Sequence, residues 1–419
     1  MPRNDSVWPD IEVTWALPDG VSPTRAIDEH STPDLLQAWK DGRRLALQVV
    51  AHRGFYNYGG GIQENSVSAM IAALRNGSTI EIDVKLTRNG PIVVHDFGSY
   101  RVTNLSGLGQ DRLWSACNLE DVVGTPLIIR EVEKGKFTED FTVTGDTIVS
   151  LEDFLDIAFD VNPNATIFAD TNERQTAEIA AWFSHRPRYL NRIVVMFYSF
   201  QYPTGISLAE AIDDANADSN WRSTVRMLPN LYPEQLPILA RRHGTANLDY
   251  NALVQAGTRW IDELVGEMWV VGLLMLVAVP GRDEKITGIL TDPDAITLAG
   301  DRAAVDIMTY VRHRYPTIKL GSGTRAYIFR SDLTPDKRTY YTTDLWTGLP
   351  QPWSEGDAWD IIRRLRATPG NAPSVINLDF VISDRPFDDI AIAQWRLRGV
   401  VCVADFDFPP LNAINTPFN

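Results

Sequence analysis

The 419-residue chain is 44% hydrophobic and 22% charged, a balance that supports a large buried core and excludes a disordered polar chain. Its formal charge of -15, from 39 Lys and Arg against 54 Asp and Glu, excludes a general nucleic-acid binder, whose affinity comes largely from cationic neutralisation of phosphate. The 2 cysteines, Cys117 and Cys402, leave no room for a disulfide framework or a multi-cysteine metal site and point to a reducing compartment.

The start, Met1-Pro2-Arg3-Asn4-Asp5, leads into a polar stretch without the apolar core of a signal peptide, so a cytoplasmic location is expected. Residues 1–44 read as an N-terminal helical extension. The first apolar run, Leu47 to Ala51, stops at His52. A helical pattern from Ser66 to Asn76, with Val67, Met70, Ile71 and Leu74 on one side, leads to Ile80-Glu81-Ile82-Asp83-Val84. A third run, Ile92-Val93-Val94, stops at His95-Asp96. From Ser106 to Val149 turn residues dominate, and the stretch is expected to be an insertion between strands three and four. Then come Thr166 to Ala169, which stops at Asp170, Ile193 to Phe197, and Val225 to Leu228.

Strands alternating with helical patterns predict a parallel sheet, and polar residues at strand ends predict a TIM (β/α)8 barrel with insertions, its functional face at the C-terminal ends. A doubly wound sheet is the rival, but no glycine-rich phosphate loop follows the first strand. The run Met268 to Val279 is about a dozen residues long against roughly 20 for a spanning helix. It reads as a buried helix or a contact between subunits, so no integral membrane segment is expected and self-association stays open. Two segments compete for the last strand, Gly288 to Pro293 and Phe380 to Pro386. Too few residues separate the first from the preceding apolar run for a parallel crossover, which needs a dozen or more. The last strand is therefore expected at Leu378 to Ser383, after a helix from Gly356 to Arg366. Residues 230–320 then read as a second insertion, 45–400 as the barrel and 401–419 as a tail.

The strand period of two puts Glu81 and Asp83 on one face. Two carboxylates side by side in a barrel repel unless they share a cation, and their oxygens suit a hard divalent ion. His52 and His95 take equivalent strand ends on either side of that acid pair. Proton transfer near neutral pH, to one oxygen and from another, is work that two histidines can share.

The segments Ala51-His52-Arg53-Gly54, Gln63-Glu64-Asn65-Ser66 and Ile80 to Asp96, with Arg101 and Thr103 after them, resemble the signature of the glycerophosphodiester phosphodiesterases. The chain is also similar to the agrocinopine phosphodiesterases of opine-using bacteria, which act on sugar phosphodiesters. The resemblance implies a barrel enzyme that hydrolyses a small phosphodiester with a divalent metal, Mg2+ or Ca2+, with Mn2+ as a further candidate. It implies Glu81, Asp83 and Asp170 as metal ligands, His52 and His95 as the acid-base pair, Arg53 as a phosphate contact and Glu64 as its orienting partner. Where the family carries Glu-x-Lys on its fourth strand, this chain has Asp170-Thr171-Asn172. The loop Phe55-Tyr56-Asn57-Tyr58-Gly59-Gly60-Gly61 suits a sugar or another bulky alcohol, with Phe55, Tyr56 and Tyr58 as contacts. A lyase or lysophospholipase on the same scaffold would instead expose Met268 to Val279 to a membrane. A barrel reduced to a binding module would have lost some of the five site residues, and all are present.

Overall fold

The computed structural model describes residues 48–324, except 57–59, 76–78, 106–111, 134–135, 172–174, 200, 233–234, 245–247 and 278–297, together with Leu36 and residues 379–383. In chain order the strands are β1 (Gln48–Ala51), β2 (Thr79–Leu86), β3 (Pro91–Val93), β4 (Pro126–Glu133), β5 (Lys136–Thr147) and β6 (Ile167–Asp170). They continue with β7 (Ile193–Tyr198), β8 (Met227–Leu231), β9 (Gly272–Val277), β10 (Lys319–Thr324) and β11 (Phe380–Ser383). Parallel pairing runs β1-β2-β6-β7-β8-β9-β10-β11 and returns to β1, which closes an eight-stranded ring. Helices cross between the strands as a βα barrel demands, among them Val67–Arg75, Leu151–Val161, Thr176–Ser184, Gly205–Asp214, Tyr250–Glu267 and Leu298–Arg314. The fold is a TIM barrel. No helix among the described residues is long and apolar enough to cross a membrane.

Local chemistry explains several boundaries. Ser150 caps the helix Leu151–Val161 by accepting from the Asp153 N–H at 3.0 Å, and Asp249 caps Tyr250–Glu267 through the Ala252 N–H at 2.9 Å. Between the ring and its helices lies the main core, which includes Phe154, Phe183, Trp221 and Trp260. A second apolar cluster fills the ring's interior: Val50, Phe168, Val194, Met196, Leu228, Leu274, Phe380 and Ile382, with Leu36. Phe168 and Phe380 meet edge to face at 5.6 Å. Gly321 makes this possible, because a Cβ there would lie 2.1 Å from the Phe380 ring.

Three expectations about the strands need correction. The run ending at His95 is not a third parallel strand: β3 pairs antiparallel with β2, Val84 facing Val93. Only Thr87-Arg88-Asn89-Gly90 joins them, closed by the Thr87 N–H bond to Gly90 O at 2.9 Å, and four residues cannot make a parallel crossover. Second, the stretch 230–320 is not an insertion, because it contains the ring strand β9 and the crossover helices on either side of it. Third, Met268 to Val279 forms neither a buried helix nor a membrane-facing patch. Its centre is β9, with Leu273, Leu274 and Met275 buried. The chosen last strand is the one observed: β11 joins β10 to β1. The segments 1–35, 356–366 and 401–419 lie outside the described residues.

The stretch between β3 and Leu151–Val161 carries the β4–β5 hairpin, which lies outside the ring. It has its own small core of Ile92, Val94, Val102, Trp114, Leu127 and Ile148. Gln63 ties it to the barrel by donating to Ile128 O at 3.0 Å.

Candidate active site

The site is assembled from the strand ends of β1, β2, β3 and β6. On β2 the alternation that carries Glu81 and Asp83 continues to Lys85, and all three side chains are buried. Register pairs Asp83 with Asp170 on β6, so the third carboxylate falls beside the second. Glu81, Asp83 and Asp170 each offer an oxygen, and these atoms all lie within 4.8 Å of one another. Among the described residues, Glu81 Oε1 and Asp170 Oδ1 have no hydrogen-bond partner, and neither does Lys85 Nζ, which stands 5.0 Å from the Phe97 ring centroid.

The turn after β1 shows why His52-Arg53-Gly54 must have that composition. Arg53 and Gly54 take positive φ of 57° and 79°, and a Cβ on Gly54 would meet the Ala69 backbone at 2.8 Å. The turn aims the Arg53 N–H at Glu81 Oε2, 3.0 Å away, and leaves His52 Nε2 3.9 Å from the same oxygen. The Gln63 to Ser66 stretch is equally economical. Glu64 receives Arg53 Nη1 at 3.0 Å and also binds Arg101. Asn65, itself at φ 56°, donates to Asp83 Oδ2 at 2.8 Å and accepts the Asp83 N–H at 3.0 Å. Ser66 Oγ accepts the Ala69 N–H at 3.1 Å in the first turn of Val67–Arg75. On the β3 side, His95 Nδ1 lies 2.7 Å from Asp96 Oδ1, and Arg101 binds the other Asp96 oxygen. A chain of alternating charge therefore runs Asp96, Arg101, Glu64, Arg53, Asp83, with His95 hydrogen-bonded at its head.

That order sets the electrostatics. Burial works against every carboxylate, and the outcome depends on what stands beside it. Glu64 is held well below the usual range because Arg101 and Arg53 outweigh its burial. Asp96 is lowered in the same way by Arg101 and His95, and Asp83 by His95, Arg53 and Lys85. Glu81 goes the other way: burial and the Asp83 charge raise it well above the carboxylate range. Burial and Asp83 likewise push Asp170 up to about 7, although the Tyr198 hydroxyl donates to it. The cluster thus holds more negative potential than its own cations neutralise. Its unpartnered carboxylate oxygens and all-oxygen donor set fit a divalent cation of the Mg2+ or Ca2+ type.

The structure brings together His52, Arg53, Glu64, Glu81, Asp83, His95 and Asp170. Arg53 is only 5% exposed and spends its guanidinium on Glu64 and on Asp83, 3.1 Å from its Nε, so it braces the carboxylates rather than standing open to a phosphate. Phe55 does not reach the mouth: it is buried in the main core, its N–H bonded to Ala69 O at 2.9 Å. Tyr56 is half-buried, while Tyr58 and Asn172 lie outside the described residues. Sequence reasoning missed Lys85, which the β2 alternation could have shown, and Asn65 and Tyr198, whose roles depend on contacts across the ring.

A closed parallel barrel with histidines and a carboxylate cluster gathered at one end of its strands has the layout of a hydrolase that acts on a charged ester. The class becomes definite by comparison. Residues 52–204 match the model of the glycerophosphoryl diester phosphodiesterase family, and the protein is a phosphoric diester hydrolase. Among solved structures, a candidate glycerophosphodiester phosphodiesterase from Galdieria sulphuraria is similar at 11% identity and a TM-score of 0.44, over 84% of this chain and 98% of its own. A phosphodiesterase from Oleispira antarctica, solved in complex with the product sn-glycerol-3-phosphate, is similar at 14% identity and a TM-score of 0.42, over 83% of this chain and 97% of its own. No curated protein matches the chain.

Proposed function

We propose that the protein hydrolyses a small glycerophosphodiester or sugar phosphodiester to an alcohol and a phosphomonoester, with His52 and His95 as acid-base pair and a divalent metal held by Glu81, Asp83 and Asp170. The observation that carries the reading is the set of three buried carboxylates within 4.8 Å, two of them with an unpartnered oxygen. When bound, the ion supplies positive charge that offsets the negative charge growing on the phosphoryl oxygens.

The chain's own groups account for the proton traffic. With Nδ1 tied to Asp96, His95 has Nε2 left for the substrate. His52 stands on the other side of Glu81's carboxylate. In the first step one neutral histidine takes the proton of a hydroxyl adjacent to the ester. That oxygen forms a bond to phosphorus, the bond to the leaving alcohol breaks, and the other, protonated histidine supplies the alcohol's proton. A cyclic phosphate results. In the second step the roles reverse, and a water molecule opens the ring to the phosphomonoester. An internal nucleophile of this kind can supply roughly 7 to 11 kcal/mol of the barrier. Lys85, whose Nζ has no hydrogen-bond partner among the described residues, is the cation assigned to the phosphate, and Arg53 keeps the carboxylates in register.

The membrane-docking variant loses its support, since Leu273, Leu274 and Met275 of β9 are buried in the ring. The test compares two diesters that differ only in whether the adjacent hydroxyl is free or methylated. The free hydroxyl should be cleaved far faster, and equal rates would refute the cyclic route. Full activity after exhaustive chelation would refute the metal.

A further inference from the structure

Asn230 lies at the C-terminal end of β8, fully buried, and among the described residues neither its Oδ1 nor its Nδ2 has a hydrogen-bond partner. A carboxamide stripped of water without a replacement partner is destabilising. Its place in the fold says what it faces. Asn230 is the register partner of Tyr198, and the period of two puts it on the same face as Leu228, which fills the ring's interior. Tyr198 connects the two halves of the mouth: its hydroxyl donates to Asp170, while its ring stacks on Tyr232 with centroids 5.5 Å apart and planes at 12°. The amide therefore sits one strand beyond the tyrosine that bonds to the carboxylate cluster, and takes no part in the proton transfers.

We propose that Asn230, with the Tyr198–Tyr232 pair beside it, is the residue that recognises a hydroxyl on the alcohol portion of the substrate. The inference rests on the phosphodiesterase reading and narrows it. A hydroxyl both donates and accepts, which matches an amide with both functions unpaired. A phosphate oxygen would satisfy Nδ2 and strand Oδ1, and an alkyl chain would strand both. Carbon-bound hydrogens of such an alcohol pack against tyrosine faces.

The test titrates the full chain, with Mg2+ present, against sn-glycerol 3-phosphate and ethyl phosphate in a calorimeter. The two ligands share a phosphate head, and only the first carries hydroxyls. Wild type should prefer glycerol phosphate by about tenfold or more, because a site built around a hydroxyl discriminates against its absence. Asn230→Leu should bring the two affinities within about twofold, chiefly by weakening glycerol phosphate. A preference that survives in Asn230→Leu, or is absent in wild type, overturns the proposal. If Asn230→Leu does not fold, Tyr232→Leu at the half-buried rim gives a second reading: its preference should fall severalfold, and an unchanged preference overturns the subsite. Binding needs no turnover, so the two readings fail separately. A protein that hydrolyses no diester yet keeps the Asn230-dependent preference refutes the function and retains the subsite.

Discussion

The two arcs of the barrel are built from opposite materials. Along β1, β2 and β6, with the β2–β3 hairpin, the inward and mouth-facing polar groups are mostly charged and many are bonded to one another: Arg53 to Glu64 and Asp83, Asp96 to Arg101 and His95, Asp83 to Asn65. Along β7 to β11 the interior is apolar, with Met196, Leu228, Leu274, Phe380 and Ile382, and the groups nearest the mouth are neutral, Tyr198 and Asn230. Burial on the first arc is costly, and the network of ion pairs offsets it. On the second arc, burial is what stabilises. One closed sheet thus carries a half whose charges are held in tension and a half whose apolar packing keeps it in shape.

The largest effect should come from striking the charged arc at its centre. Glu81→Ala or Asp83→Ala should abolish hydrolysis while the far-ultraviolet circular dichroism stays that of the wild type. A variant that unfolds would assign these carboxylates to the structural half. His52→Ala or His95→Ala should each cost about 10² to 10⁴ in rate, and wild type should show a bell-shaped pH profile that loses one limb in each variant. The apolar arc should respond in a different currency. Phe380→Ala should cost about 3 to 5 kcal/mol in chemical denaturation and leave metal affinity as it was, and a large change in affinity would dissolve the distinction between the arcs.

The smallest effect concerns pH. In the metal-free protein the carboxyls of Glu81 and Asp170 have raised values, so the folded chain holds protons that the unfolded chain releases. Their contribution to stability is therefore greatest at acid pH and declines from about pH 4 upward, through about 7 for Asp170. Asp83, Glu64 and Asp96 are lowered, so their contribution is complete above about pH 5 and is lost only below the ordinary carboxylate range. Between pH 5 and 8 the melting temperature of the metal-free form should fall by a few degrees as pH rises. Saturating Mg2+ or Asp170→Asn should flatten that slope, and a melting temperature that rises over this window would contradict the assigned tension.

The same division explains what could be read from the sequence. The charged arc is written locally: His52-Arg53-Gly54, Gln63 to Ser66 and the Glu81, Asp83 alternation each carry their geometry within a few residues. Their backbone demands, positive φ at Arg53 and Gly54 and a helix cap at Ser66, leave little freedom in residue type. The apolar arc has no such marks. Leu273, Leu274 and Met275 read equally well as buried helix or buried strand, because a strand covered on both faces has no alternation to show. The β2–β3 hairpin carries its sign in Asn89-Gly90 and in the short link between Leu86 and Pro91, too short for a parallel crossover. Phe55 misled because aromatic residues in a glycine-rich loop suggest a surface, whereas tertiary packing turned this one toward Ala69. Tyr198 and Asn230 were out of reach, since nothing near them in sequence announces Asp170 across the ring.

The aromatic contact between Phe168 and Phe380, seated on the space left by Gly321, gives the barrel a floor. Among the described residues, apolar side chains fill the ring's interior beneath the mouth, so the site is a well and not a corridor through the barrel. On the two-step route proposed above, water for the second step would arrive by the way the first alcohol departs, so departure of the alcohol would gate the arrival of the nucleophile. Such a vessel would impose an order of events without moving parts: the alcohol would leave first and the phosphomonoester last, and either product at high concentration should slow entry of the next diester.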